Sequence, residues 1–209
     1  MLSRSGPLPL GAGWAYELKL DGFRAIVRSG DRFQVRSRRG WNMTSHLAEL
    51  AALPVDAVLD GELVAPGDDG WPDFPRLCRR MLQGDRQIQT VFVAFDLLEL
   101  DGQRVTHLPL SERRSLLDSL ELHGPAWQTS ALFDDPEALW QVCVDHGLEG
   151  VVAKRLRSPY RPGERGWVKT KNRSYWRYPL ELAAMERRLA ASGAFRDAAA
   201  SRLPAAENV

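Results

Sequence analysis

Trp14-Ala15-Tyr16-Glu17-Leu18-Lys19-Leu20-Asp21-Gly22-Phe23-Arg24 is the stretch on which the rest of the reading turns. Trp14, Tyr16, Leu18 and Leu20 alternate with Ala15, Glu17 and Lys19, the period of a half-buried β-strand. Glu17 and Lys19 therefore share one face, opposite the apolar side chains. Asp21-Gly22 is a tight turn, and Arg24 opens the next strand. Taken alone, the pattern fits a hairpin edge with solvent-facing charges. It also fits a nucleophilic lysine, whose amine must shed its proton to attack and is helped by burial or neighbouring positive charge. The stretch by itself leaves both readings open.

Working outward, strand patterning recurs at Phe23–Val27, Arg32–Ser37, Ala57–Val64, Thr90–Glu99, Gly150–Arg155 and Gly166–Lys171, with a hairpin turn at Ser29-Gly30-Asp31. Helical signals fall at Thr44–Leu53, Ser111–Leu120 and Pro136–His146. In the last, Asp135 is placed as N-cap, Pro136 at the first helical position and Gly147 just past the end. Pro66-Gly67-Asp68-Asp69-Gly70 reads as a loop. From Pro179 onward, Leu182, Met185, Glu186 and Leu189 keep helical spacing, ahead of an alanine-rich end. The elements predict an α+β domain over residues 1–178 and a helical tail over 179–209. There is no internal repeat.

The 209 residues carry 28 Lys+Arg and 27 Asp+Glu, with 44% apolar and 26% charged residues. That is ordinary globular usage, and it excludes a disordered chain, a collagen-like chain and a disulfide scaffold. No apolar run approaches the roughly 18 residues of a membrane span. The first residues contain no secretory h-region, and Cys78 and Cys143 fit free thiols in a reducing cytoplasm. The net charge of +1 hides an uneven distribution. Lys154 to Arg177 holds nine Lys/Arg against one acid, Glu164. Further basic clusters stand at Arg36, Arg38, Arg39 and at Arg76, Arg79, Arg80, while acids dominate Asp85 to Glu149. Each cluster fits either solvated surface or one positive face that meets an anionic partner.

The opening stretch resembles the K-x-D-G-x-R motif of covalent nucleotidyltransferases, which include ATP-dependent DNA ligases, RNA ligases and mRNA-capping enzymes. Five further elements follow in that family's order. Ser37-Arg38-Arg39-Gly40 is similar to the S-R-x-G element of DNA ligases, although alone it fits a basic turn. Asp60-Gly61-Glu62-Leu63 closes a strand with an acid. Phe92-Val93-Ala94-Phe95-Asp96-Leu97-Leu98 resembles the strand whose aromatic stacks on adenine, although an isolated Phe there fits core packing. Glu149-Gly150-Val151-Val152-Ala153-Lys154 and Trp167-Val168-Lys169-Thr170-Lys171 resemble the last two motifs. Period 2 places Lys169 and Lys171 on one face. The six elements span Glu17 to Lys171, roughly three quarters of the chain. The S-R-x-G element and the Phe-Asp-Leu-Leu strand favour DNA ligases over capping enzymes. No nicotinamide-binding region precedes the first motif, which argues against the NAD-dependent ligases. The resemblance is to the adenylation domain of ATP-dependent DNA ligases, nearest the bacterial end-joining type.

That resemblance implies an ATP-grasp-like nucleotidyltransferase fold, two antiparallel β-sheets flanked by helices with the nucleotide cleft between them. It implies ATP and Mg²⁺ (or Mn²⁺). Lys19 is the expected nucleophile, which would form a lysyl-AMP intermediate. The expected nucleotide contacts are Glu17, Leu18, Lys19, Arg24, Arg38, Glu62, Phe95, Arg165, Lys169 and Lys171. Glu149 and Glu62 are the expected metal ligands. Arg36, Arg38, Arg39, Lys154, Arg155 and Arg173 are expected to meet nucleic acid. The implied partner is nicked double-stranded DNA, met by a monomer without a membrane. The 38 residues after Lys171 are too few for the OB-fold that usually follows. An OB-fold or end-joining protein partner is therefore expected. A non-catalytic nick- or nucleotide-binding module and an RNA ligase are the alternatives.

Overall fold

The computed structural model describes residues 1–184 and 187. Its strands are β1 (Ser3–Ser5), β2 (Trp14–Leu18), β3 (Phe23–Arg28), β4 (Gln34–Ser37), β5 (Ala57–Val64), β6 (Val91–Leu100), β7 (Gln103–Arg104), β8 (Trp127–Thr129), β9 (Gly150–Arg155) and β10 (Trp167–Lys171). Its α-helices are α1 (Phe74–Leu82), α2 (Leu110–Ser119) and α3 (Pro136–Asp145). A short helical segment follows at residues 178–184. One sheet has the order β1-β10-β9-β2, and the other runs β4-β3-β5-β6-β7 with β8 also on β6. Pairing is antiparallel except for β1 on β10 and β8 on β6. This is the α+β, two-sheet arrangement expected from the sequence.

Each sheet packs one face and turns the other to a shared cleft. In the first sheet Tyr16, Val151, Ala153 and Val168 pack on Leu139 and Cys143 of α3. In the second, Ala25, Val27, Leu59, Leu63, Phe92 and Leu97 form the main core with Leu77 and Met81 of α1 and Leu117 of α2. Each such Leu or Phe contributes about 1.5–3 kcal/mol through apolar surface removed from water. One charged pair lies wholly inside. Arg113 of α2 donates to both carboxylate oxygens of Asp96 on β6, at 2.7 and 2.9 Å. Its remaining nitrogen donates to the carbonyls of Leu108 and Ser158. Every polar group of the pair is thus engaged, which is the condition for burying charge without a large penalty.

Several elements differ from the sequence expectation. Residues 44–53 form two 3-10 turns, Thr44–His46 and Ala48–Ala52, in place of one α-helix. Leu47, Leu50 and Leu53 are buried at a spacing of three, which suits a three-residue turn. Thr44 bonds Val35 and Asn42 with its hydroxyl and does not cap a helix. Helix α1 was not expected, though its signals are present. Asp73 accepts from the Arg76 amide as N-cap, and Pro75 sits in the first turn. Strands β1, β7 and β8 are too short to leave a periodic signature. The basic cluster at Arg76, Arg79 and Arg80 is not a free positive face, because its members pair with Asp68, Asp85 and Glu49. The expected tail helix begins at 178; residues 185, 186 and 188–209 lie outside the described residues.

Candidate active site

The two cleft-facing sheet surfaces enclose about 590 Å³. Lys19 stands where the chain leaves the first sheet for the second. Its amide donates to the Gly150 carbonyl at 2.8 Å, which extends the β2–β9 pairing by one residue. Gly22 then passes against β5. A Cβ there would lie 2.2 Å from the Leu63 carbonyl oxygen and 2.9 Å from Glu62 Cγ, so only glycine lets this turn seat beside Glu62. Gly150 is constrained in the same way. Its φ is +139°, and a Cβ would lie 2.1 Å from the Thr170 carbonyl oxygen. That backbone kink sets the preceding residue, Glu149, against Lys19.

Glu149 is buried, and its Oε1 contacts Lys19 Nζ at 2.6 Å and Lys171 Nζ at 3.2 Å. Its Oε2 has no hydrogen-bond partner among the described residues. Lys169 lies on the same face of β10 as Lys171 and lines the cleft. Burial and the nearby Lys171 and Lys19 charges hold the Lys169 amine below its ordinary value. Burial pulls Lys171 down too, but the Glu181 and Glu149 carboxylates outweigh it and leave that amine raised. Glu62 is pushed up to about 8, chiefly by burial, with Lys19 opposing and Glu149 reinforcing.

At the other end of the cleft the surfaces are aromatic. Phe95 of β6 meets Trp167 of β10 edge-on at 5.6 Å between centroids. Val152 packs against the same pair. Lys154 is 1% exposed. Its ammonium sits 4.2 Å from the Phe95 centroid and 4.5 Å from that of Trp167. It donates to Glu17 Oε1 at 2.6 Å. Ser130 donates to Glu17 Oε2 at 3.3 Å and receives a bond from Arg114. Burial raises the Glu17 carboxyl, against the opposing pull of Lys154. Arg24 forms a bidentate bond with buried Asp60, at 2.9 and 2.5 Å, which also accepts from Tyr160.

Glu17, Leu18, Lys19, Arg24, Arg38, Arg39, Glu62, Phe95, Lys154 and Lys169 all line this cleft. Glu149 and Lys171 do not line it and connect to it through Lys19, which Glu149 Oε1 touches. The solvent-facing hairpin that the opening stretch left open does not hold, since Glu17 is buried. Arg38 and Arg39 are exposed at the rim. Arg36, Arg155 and Arg173 are exposed outside the cleft, Arg36 on Gln34 and Arg155 over the Trp14 ring at 4.5 Å. Two expectations are corrected. Lys154 is not on the basic surface, because period 2 along β9 turns it inward with Val152 and its charge is consumed by Glu17. Arg165 is exposed on the β9–β10 loop and does not line the cleft. The sequence reading missed Val152, Trp167 and Ser130. Trp167 lies two residues from Lys169 on the same strand face, a signal that could have placed it.

The donor set suits a divalent cation. Glu149 offers a buried carboxylate oxygen without a partner, and Glu62, whose carboxyl is raised in part by the Glu149 charge, lines the cleft. Among the described residues no group of three or more His, Cys, Asp or Glu side chains gathers. Mg²⁺ is commonly held in this way, by one or two carboxylates with water and substrate phosphate completing the shell.

Residues 9–171 match the family described as ATP dependent DNA ligase domain, and the chain belongs to it, as an adenylation domain. The multifunctional non-homologous end joining protein LigD of Mycolicibacterium smegmatis is 38% identical over 167 residues, which are 76% of this chain and 21% of that protein. The crystal structure of the ligase domain from M. tuberculosis LigD superposes with a TM-score of 0.72 at 35% identity, covering 81% of this chain and 58% of that one. Mycobacterial DNA ligase D complexed with ATP and MES gives the same score at 34% identity, with 82% and 59% covered. The chain spans about a fifth of the length of that curated relative. Among the described residues no helix is long and apolar enough to cross a membrane.

Proposed function

We propose that this domain transfers AMP from ATP to Lys19 and from there to the 5′-phosphate of nicked duplex DNA in the cytoplasm. The observation that carries the reading is Lys19 held 2.6 Å from a buried glutamate, with Lys171 on the same carboxylate oxygen and Lys169 beside them. Adenine would enter between Phe95 and Val152, with Glu17 and Lys154 at its edge. Arg24 and Glu62 would flank the ribose. The Lys19 ammonium must lose a proton before attack, and Glu149 Oε1 is the group in contact with it. The freed lone pair forms the N–P bond at the α-phosphorus. The bond to the bridging oxygen breaks, and pyrophosphate departs with that electron pair. Lys169 and Lys171 would hold the charge on the non-bridging oxygens, the main protein contribution to phosphoryl-type transfer. Glu149 and Glu62 would hold Mg²⁺, which when bound neutralises phosphate charge.

Exposed Arg36, Arg38, Arg39, Arg155 and Arg173 would grip backbone phosphate. Sealing is proposed for the domain working with an OB-fold, whether in the same polypeptide or in a partner. Intact-mass measurement after incubation with ATP and Mg²⁺ tests the first step. An AMP adduct is expected on the wild-type protein and not on Lys19→Ala. Adduct formation on both proteins would refute Lys19 as nucleophile, and on neither would refute adenylation by this domain alone.

A further inference from the structure

The residues after β10 fold back beside Glu149 and the turn at Asp21. Asn172 anchors the return. Its amide donates to the Glu149 carbonyl, and its side chain donates to the carbonyls of Cys143 and Leu148. Tyr175 and Arg177 then both donate to the Asp21 carboxylate, in the turn just past Lys19. The Arg177 guanidinium lies over the Phe74 ring at 3.6 Å. The chain next turns helical at 178–184, which carries the Glu181 carboxylate onto Lys171 Nζ. Lys171 is thereby shared between two acids, Glu149 within the site and Glu181 from outside it.

The ammonium that Glu181 covers is one of the two assigned to phosphate. A carboxylate oxygen and a phosphate oxygen make the same charge-assisted bond to such a donor. We propose that Glu181 is a built-in competitor for the phosphate subsite, and that a bound nucleotide phosphate displaces it from Lys171. This inference rests on the nucleotide reading of the cleft. Glu181 does not line the cleft that Phe95, Val152 and Trp167 line, so its competition is confined to ligands that carry phosphate. If the seated state is about nine tenths populated, apparent phosphate affinity falls roughly tenfold.

Calorimetric titration of AMP and of adenosine into the wild-type chain and Glu181→Gln separates the possibilities. The expected result is AMP binding roughly tenfold tighter in the variant, with adenosine binding unchanged. Glu181→Ala should behave alike, and its adenosine affinity reports that the base pocket remains folded. Equal AMP affinity in wild type and variants, with adenosine bound by all, overturns the role of Glu181 and leaves the nucleotide reading intact. Equal tightening of AMP and adenosine also overturns it, because the gain would not depend on phosphate. Failure of every protein to bind either ligand overturns the nucleotide reading and this inference together.

Discussion

The Lys19 side chain owes its setting to two others that lie far away in sequence. Glu149 touches it directly, and Lys171 reaches the same carboxylate oxygen from the next strand. All three stand at motif positions that the resemblance singles out, and period 2 gave the shared face of Lys169 and Lys171. What could not be read was which face a pairing turns inward. Lys154 looked like a surface charge, and Glu17 like a nucleotide contact with no protein partner. They meet because β2 pairs with β9 across 137 positions, and no local pattern encodes that register. At the end of the cleft proposed for the base, Phe95 forms part of the wall. Phe95→Ala should cost about 1 kcal/mol of stacking, or roughly fivefold in the KM for ATP. Steady-state adenylation measured across ATP concentrations checks this, and an unchanged KM would remove Phe95 from the base site.

Among the elements, the long strands and α3 were readable because their period and caps are local. The 44–53 segment was misread because leucines three and four apart are hard to tell from sequence, and burial decides between a 3-10 turn and an α-helix. Glycines at strand ends act at this scale. Gly150→Ala would force a Cβ to 2.1 Å from a carbonyl oxygen at a φ of +139°. A loss of more than about 2 kcal/mol is expected, together with the AMP adduct, because Glu149 would be shifted with the backbone. Chemical denaturation and intact mass on the same sample check both parts. Helix α2 is tied to β6 by the Arg113–Asp96 pair. Arg113→Met strands a buried carboxylate and should cost about 3–5 kcal/mol. A denaturation midpoint close to that of the wild type would show that Asp96 finds another partner.

Across the whole molecule, a net charge of +1 conceals exposed arginines on two separate stretches, 36–39 and 155–173. If both grip backbone phosphate, nick affinity should fall linearly with the logarithm of salt concentration, at about −0.9 per phosphate neutralised. Arg38→Ala should make that slope shallower by about one unit, read by titration at several salt concentrations. The path of the chain adds a consequence for how the protein is made. One sheet is assembled entirely from residues 23–129, a contiguous segment whose strands are mostly neighbours in sequence. The other joins residues 3–18 to residues 150–171, closing a loop that contains the whole of its partner. Contacts of such long separation form late, because the entropy of closing the loop is lost before they return any energy. The expected order is therefore the middle first and the meeting of the ends last, with Lys19 gaining Glu149 and Lys171 only in that last step. A partly folded chain holds Lys19 without its contact to Glu149, so that contact and the finished fold arrive together.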